Sequence, residues 1–387
     1  MTSRQARIAV TGPRRLALAG VAGLAAALAL NACSSSSTNA GPAASNVAAT
    51  SPACMAKATD FLKSWNTLPV SLPPQYTPLS KKPAAGGTVI KLVGPIPTDQ
   101  TSFVAQEAAA KAIGWTAKEI SYDGTVADLN AKFEQAISEK PTVITLSGEP
   151  ATVIGQPLAS AKAAGIVVSM DNILDPPTSN PGFAALTSGA PTTKLIGQLN
   201  AYMFMRDSGC KGSVAVFNLP FPILKVATDS FTQAVHANCP ACQVSYNELT
   251  TDEIGTPTGT GAIVSALQSS PSTKYVYTII SDVATGLPAA LSQAGITGIK
   301  IFGEVPDANA IESLRNGTSA WWIDQSAVLN GWTELDAALR ALDSGKVIQD
   351  NGHYPLAILT PQNVGSNGIP TYPLDYQSEF KKLWLEG

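Results

Sequence analysis

Polar side chains follow many of the predicted strands of this 387-residue chain. They are Thr98, Asp99, Asp123, Ser147, Glu149, Asp171, Asn172, Asn218, Ser281, Asp282, Glu304, Asp324 and Gln325. Each of them alone could simply cap the helix that follows it. However, the carboxyl ends of parallel strands meet at one edge of a sheet, where ligands of α/β proteins bind. Together these residues predict a binding site for a small molecule.

The residues needed for catalysis are scarce. Only two histidines occur, His236 and His353, and they lie far apart in the chain. The sequence contains neither G-x-S-x-G nor the phosphate-binding G-x-x-x-x-G-K-[ST]. The glycine-rich stretch 255–261 does not fit the dinucleotide-binding pattern, and no two carboxylates stand out as a glycosidase pair. We expect a protein that is not an enzyme and uses no cofactor or metal.

Short apolar runs alternate with helix-like stretches along the chain. The predicted strands are 89–94, 115–122, 142–146, 166–171, 213–217, 244–249, 275–280 and 300–302, and the predicted helices include 100–113, 126–137, 157–164, 230–237, 262–267 and 289–294. Gly114, Gly165 and Gly295 each follow a predicted helix, and glycine readily adopts the left-handed conformation that ends helices. The alternation predicts parallel sheets covered by helices on both faces.

The first 32 residues resemble an export signal. Four arginines precede an apolar run, 16–30, that is shorter than the roughly 20 residues of a membrane-spanning helix. The run ends in L-N-A-C at Cys33, which resembles the lipobox of bacterial lipoproteins. We therefore predict that 1–32 is removed and that Cys33 carries a lipid anchor. An ordinary secreted protein with a chance cysteine is the alternative, and the export route, general or twin-arginine, stays open.

Composition limits both the partners and the start of the folded part. Residues 34–53 are mostly small and polar, a short helix is predicted over 55–65, and 68–85 is proline-rich, so 33–87 is expected to be a flexible tether. Residues 1–32 hold four of the 25 basic residues and none of the 28 acidic ones, so the net charge of −3 becomes −7 without them. That sign argues against binding nucleic acid.

Four cysteines follow Cys33. They are Cys54, Cys210, Cys239 and Cys242. In an exported protein an even number favours one or two disulfides. Cys239 and Cys242 could in principle form a redox pair or half of a zinc site, but no second Cys or His pair accompanies them. A loop-closing bridge is the preferred interpretation, and the connectivity stays open among three pairings.

The order of these motifs from Thr88 to Thr360 resembles the ribose- and galactose-binding family of bacterial solute-binding proteins. The resemblance rests on the strand that ends at Asp171 and Asn172, on Lys225 ahead of a Ser-Phe helix, and on the strand ends at Asp282, Glu304 and Gln325. It implies that these residues, with Phe103 on the first helix, contact the ligand. Asn172 and Lys225 stand where the family has arginines, and Arg and Lys are not interchangeable at bidentate sites. A less hydroxylated or more apolar ligand is therefore an alternative, for which Trp115, Phe221, Trp321 and Trp322 offer ring faces.

The resemblance also implies an α/β fold of the type I periplasmic binding protein class, with two similar doubly wound parallel-sheet lobes joined by a three-segment hinge. The expected lobes are 88–189 with 326–352, and 190–325 with 353–387, the last part forming a strap. The implied protein is a monomer that captures a sugar or sugar-like solute at the outer face of the cytoplasmic membrane and delivers it to the permease of an ABC importer. Sugar-responsive repressors share the fold, but their DNA-binding domain would occupy the place of the leader. A receptor that reports its ligand to a membrane sensor is the second hypothesis.

Overall fold

The computed structural model describes residues 51–386, so Cys33, the leader and the first part of the tether lie outside it. The first sheet contains β1 (Thr88–Val93), β2 (Thr116–Ser121), β3 (Val143–Ser147), β4 (Val167–Asp171) and β5 (Ala185–Leu186). Its strand order is β2-β1-β3-β4-β5, and every pair is parallel. Strands β1, β3 and β4 are almost wholly buried, as expected for a parallel sheet.

The second sheet is larger. It contains β6 (Ser213–Asn218), β7 (Gln243–Glu248), β8 (Tyr275–Thr278), β9 (Lys300–Glu304), β10 (Ser319–Asp324) and β11 (Ala357–Leu359). Its order is β11-β10-β9-β8-β6-β7, and only β11 is antiparallel to its neighbour. The predicted strands of both sheets are confirmed.

Eleven α-helices lie in the described part of the chain. They are α1 (Pro52–Leu62), α2 (Pro97–Ala112), α3 (Val126–Ser138), α4 (Gly155–Ala163), α5 (Ala190–Asp207), α6 (Pro222–Asn238), α7 (Pro257–Ser269), α8 (Leu287–Gln293), α9 (Ala308–Arg315), α10 (Ala327–Ser344) and α11 (Tyr376–Leu383). Gly114, Gly165 and Gly295 have φ values of 70°, 75° and 68°, so all three predicted helix ends use left-handed glycines.

The chain passes between the two sheets three times. It leaves the first sheet after β5, returns from β10 into α10, which packs on α2 and β4, and leaves again to form β11. This connectivity confirms the predicted α/β fold of two doubly wound lobes, which we call the first lobe (the sheet β1–β5 with α10) and the second lobe (the sheet β6–β11). The finer lobe boundaries stay predictions.

An aromatic stack fills the core of the second lobe. The ring of Phe302 lies 4.2 Å from that of Trp321 and 5.1 Å from that of Tyr277, measured between centroids. The residue after Phe302 must be glycine, because a Cβ at Gly303 would meet the carbonyl oxygen of Thr278 at 2.0 Å. The stack and this close approach of β8 to β9 fix the backbone immediately before Glu304.

Residues 51–87, the described part of the predicted tether, pack against the folded lobes. Helix α1 packs on α5 of the second lobe, and a disulfide joins Cys54 to Cys210. Further along, the carbonyl oxygens of Thr77 and Ala84 accept hydrogen bonds from Arg340 (2.8 Å) and Trp115 (2.7 Å). Residues 51–87 therefore lie along both lobes, which differs from the expected flexible tether, because buried apolar contacts and a covalent bridge hold them there.

The C-terminal strap also contacts both lobes. In the second lobe, the Arg315 guanidinium donates to the carbonyl oxygen of Gly365 at 3.0 Å. Further on, the Trp384 ring stacks on Trp332 of α10 at 5.4 Å, and its indole N–H donates to Asp336 at 2.8 Å. We expected the strap to belong to the second lobe, but burial of these indoles places α11 against the first.

Candidate ligand-binding site

A cavity of about 610 Å³ lies between the two lobes, where the carboxyl ends of both sheets face each other. Segments after β1, β2, β3 and β4 line it from the first lobe, and segments after β7, β8, β9 and β10 line it from the second, with residues from the start of α6. Its volume is in the range of small-molecule sites. The sheets position much of its wall, because many of the polar lining side chains come at or just after the carboxyl end of a strand.

Four of the seven predicted ligand contacts line this cavity. They are Asn172, Asp282, Glu304 and Gln325. The first lobe supplies Asn172, the second supplies Asp282 and Glu304, and Gln325 lies on the segment that joins β10 to α10. The structure therefore brings together residues that are up to 153 positions apart in the sequence.

The other three predicted contacts are not among the residues that line this cavity, and their role as ligand contacts stays a prediction. Phe103 is buried in α2 and is not part of the lining, although its neighbour Ser102 is. Lys225 points to solvent, where its ammonium group pairs with Asp229 of the next helical turn at 2.5 Å. Asp171 is completely buried behind the cavity wall.

Hydrogen bonds between the segments that connect the two lobes hold Gln325 and Asn172 in place. The Gln325 amide nitrogen donates to Asn172 Oδ1 at 2.8 Å and to the hydroxyl oxygen of Ser188 at 2.9 Å. Asn172 in turn donates to Asp171 Oδ2 at 2.9 Å, and its φ of 50° lies in the left-handed region that Asn tolerates better than most residues. The protein's own groups therefore orient both amides.

Asp282 and Glu304 present buried carboxylates to the cavity. Their residues are 4% and 2% exposed, and in the described part of the protein Oδ2 of Asp282 and Oε1 of Glu304 have no hydrogen-bond partner. Burial, with a smaller contribution from Asp307, raises the pKa of Asp282 to about 6. Burial also raises the pKa of Glu304 well above its usual value. Each group therefore has one buried carboxyl oxygen that no donor of the described structure reaches.

A buried ionic cluster lies behind the first-lobe wall. The ammonium group of Lys91 contacts Glu334 at 2.7 Å, with both side chains fully buried, and it donates to the hydroxyl oxygen of Ser147 at 3.3 Å. Burial raises the pKa of Asp171 and of Glu334 above their usual values, and the charge of Lys91 offsets this effect only in part. Although burial alone would lower the pKa of Lys91, the neighbouring carboxylates reverse that effect and raise it. The cluster thus supports the lining residue Ser147 from behind.

The strand-end pattern finds more of the lining than the family resemblance does. Thr98, Asp99, Asp123, Ser147 and Glu149 all line the cavity, whereas Asp171, Asn218, Ser281 and Asp324 do not. Of the four proposed ring faces, only Phe221 lines it, and the three tryptophans are buried in the core. Lining residues that the sequence analysis missed include Tyr122, Thr193 and Asn330. Asn330 lies on α10, where no strand-end signal points to it.

The four later cysteines form two disulfides, Cys54 with Cys210 and Cys239 with Cys242. Among residues 51–386, the one group of three metal-ligand atoms within 4.8 Å of one another is Cys54, Cys210 and Cys239. All three belong to these disulfides. The cavity carboxylates are therefore too far apart to offer three ligands to a single ion.

No matching sequence was found among curated proteins. The model of the periplasmic binding protein domain family matches residues 99–346, more than half of the chain. The chain therefore belongs to the periplasmic binding protein family.

Many solved structures share the fold. One is a carbohydrate transporter solute-binding protein from Agrobacterium radiobacter in complex with D-arabinose, with 19% identity, a TM-score of 0.62, and coverage of 73% of this chain and 97% of that one. An ABC transporter solute-binding protein from Agrobacterium vitis with bound allitol is 21% identical, with a TM-score of 0.62 and coverage of 73% and 98%. A third, from Actinobacillus succinogenes with bound D-allose, is 16% identical, with a TM-score of 0.62 and coverage of 71% and 98%.

None of the helices in residues 51–386 combines the length and apolarity that crossing a bilayer requires.

Proposed function

We propose that this protein is the solute-binding lipoprotein of an ABC importer and that it captures a small sugar-like molecule between its two lobes. One observation carries the proposal. The cavity between the lobes presents buried, unpartnered acceptors, Asp282 and Glu304, beside amides that are already oriented, Asn172 and Gln325. Hydroxyl groups donate to such acceptors, and the structural relatives are described with bound arabinose, allitol and allose.

The rings and apolar side chains of the cavity suit the other face of such a ligand. Tyr122 and Phe221 line it from opposite lobes, together with Ile223, Leu224 and Ile254. Sugars carry C–H groups that pack on rings, and closure of the lobes excludes water from the polar contacts. Binding and lobe closure require no chemical step.

We propose that export and anchoring follow the signals at the start of the chain. In this proposal 1–32 is removed, Cys33 carries a lipid, and the stretch up to Ser51 links the anchor to the folded part. The protein then works as a monomer at the outer face of the cytoplasmic membrane, with the importer permease as its partner. Replacement of Cys33 by Ala is expected to move the protein from the membrane fraction to the soluble fraction and to abolish labelling by a fatty-acid analogue.

Ligand capture is tested by a thermal-shift screen of the purified protein against sugars, polyols, nucleosides and small aromatic acids. A ligand at 100 times its Kd adds about 2.7 kcal/mol of stability. Asp282→Ala should abolish the shift, because it removes a buried lining acceptor, whereas Lys225→Ala serves as the matched control outside the cavity. An unchanged shift in Asp282→Ala would place the site elsewhere.

Delivery is tested by uptake of the radiolabelled hit in cells that lack the protein. Loss of uptake, restored by the wild-type chain, supports an importer component. Unchanged uptake with loss of a transcriptional response to the ligand would instead support the second hypothesis, a receptor that reports to a membrane sensor.

A further inference from the structure

The ionisable groups of the cavity are strongly biased towards acids. Six carboxylic acids line it: Asp99, Asp123, Glu149, Asp252, Asp282 and Glu304. Within residues 51–386, no lysine, arginine or histidine lines it. Two lysines beside lining residues are engaged elsewhere, since Lys91 is paired with Glu334 behind the wall and Lys225 is paired with Asp229 in solvent. The protein itself supplies no positive charge to the cavity.

The six acids are not equivalent. Asp99 accepts a hydrogen bond from the backbone of Gly94 at 2.8 Å, and Asp123 accepts two from Thr125, so the protein already uses these carboxylates. Asp252 is exposed to solvent, and Glu149 is only partly buried. Asp282 and Glu304 differ, because each is more than nine-tenths buried and each has an oxygen without a partner in the described structure. A ligand would meet unsatisfied acceptors at these two residues.

The side-chain donors of the same cavity are neutral hydroxyl and amide groups, such as those of Thr98, Tyr122 and Asn330. The side-chain amide of Asn172 already donates to Asp171, and that of Gln325 already donates to Asn172 and to Ser188. A neutral sugar would supply one donor per hydroxyl, but no charge. An ammonium group supplies three donors and a positive charge, and its hydrogen bonds to a carboxylate are among the strongest in proteins. Burying carboxylates without a counter-charge is costly, and a cationic ligand removes that cost.

We propose that the ligand is a hydroxylated amine, such as an amino sugar, whose ammonium group binds at the buried carboxylates of Asp282 and Glu304. This proposal rests on the proposed function and names its substrate class. A single metal ion is a poor alternative occupant, because no three carboxylates of the described chain come within 4.8 Å of one another. The rings of Tyr122 and Phe221 offer further favourable contact to a cation.

The test compares matched ligands that differ only at one position. Isothermal titration at pH 7 would measure D-glucosamine, D-glucose and N-acetyl-D-glucosamine, and then the corresponding galactose series. We expect an amine to bind at least about tenfold more tightly than its hydroxyl and acetylated partners, because only the amine is charged.

Three variants locate the preference within the cavity. Asp282→Asn and Glu304→Gln keep the shape of each side chain but remove its charge, and at least one should reduce the preference for the amine to about twofold or less. Asp229→Asn is the control, because its exposed carboxylate lies outside the cavity. Circular dichroism of each variant confirms that it is folded. If all three variants kept the full preference, the buried carboxylates would not be the recognition site.

The outcomes separate this inference from the proposed function. Equal or tighter binding of the neutral sugars would overturn the amine proposal and leave a sugar-binding protein. Failure of every compound in both series to bind at millimolar concentration would overturn the amine proposal, and failure of the wider thermal-shift screen as well would overturn both.

Discussion

The two lobes bury carboxylates to a similar degree but compensate their charge differently. In the first lobe, Asp171 and Glu334 surround the fully buried ammonium group of Lys91. In the second lobe, Asp282, Glu304 and Asp324 are at most 4% exposed, and no lysine or arginine of residues 51–386 is paired with them. The first arrangement has an internal counter-charge and serves the fold. The second leaves acceptors free, and two of them face the cavity.

The difference separates a structural role from a binding role. A buried carboxylate either finds a cation or keeps its proton, because an isolated buried charge is too costly. The first lobe meets this requirement with a lysine, and the second meets it through raised pKa values. We infer that the second lobe supplies the acceptors that a ligand completes.

The largest expected effect is the loss of the internal counter-charge. Lys91→Met should lower the free energy of unfolding by about 3–5 kcal/mol, because it leaves two carboxylates buried without a cation. Urea denaturation at pH 8 measures this loss, and the loss should shrink at pH 5, where the carboxylates take up protons more readily. Lys118→Met is the control, since its pair with Glu139 is exposed and is expected to contribute about 1 kcal/mol or less. Equal losses in the two variants would contradict a special role for Lys91.

Asp324→Asn should change the pH dependence of stability. Burial raises the pKa of Asp324 to about 8. The folded protein therefore holds a proton that the unfolded chain releases near pH 4, and the wild type loses stability as the pH rises from about 4 to about 8. The variant lacks this titration and should gain up to about 5 kcal/mol relative to the wild type across that range. Parallel curves of unfolding free energy against pH for the two proteins would rule out a buried neutral carboxyl at this position.

Asp282→Asn should also become more stable than the wild type as the pH rises, but this difference should develop over a narrower pH range. Burial and the neighbouring Asp307 carboxylate raise the pKa of Asp282 to about 6, so the wild type loses this contribution between about pH 4 and pH 6. We expect a relative gain for the variant of roughly 2 kcal/mol in the absence of ligand. Thermal denaturation from pH 4 to pH 7 measures it. A gain that continued to grow above pH 7 would contradict this assignment.

The smallest expected effect concerns the lysine that the family resemblance placed in the site. Lys225→Ala should leave the affinity for any ligand of the cavity within about twofold, because its exposed charge is paired with Asp229 and screened by solvent. Titration calorimetry on the variant and the wild type checks this. A tenfold loss of affinity would return Lys225 to the binding site.

Much of the fold follows from local signals. The strands β1, β3 and β4 are apolar runs with turn residues after them, and three glycines end their helices as expected. Helix α5 was missed, although it has 18 residues. Ten of these residues, from Thr192 to Met205, are buried, because α5 is enclosed by α1, α6 and the second sheet. A helix covered on several sides shows no single apolar stripe in its sequence.

The site was predicted in outline but not residue by residue. Asn172, Asp282, Glu304 and Gln325 line the cavity because each follows a strand. The motif order predicted Lys225 as a ligand contact. In the structure its exposed side chain pairs instead with Asp229, which lies one helical turn further along α6. The disulfide between Cys54 and Cys210 joins residues 156 positions apart, and no spacing rule identifies such a pair.

The sequence by itself determined the parallel α/β architecture and the row of polar residues at the strand ends, because both depend on short-range periodicity and turn chemistry. Only the tertiary structure decided which buried carboxylates have a counter-charge. Lys91 and Glu334 are 243 positions apart, and they meet because α10 returns to the first sheet. Asp282 and Glu304 look no different in sequence, yet no basic side chain of the described chain pairs with them. Charge compensation depends on distances in space, which local sequence does not encode.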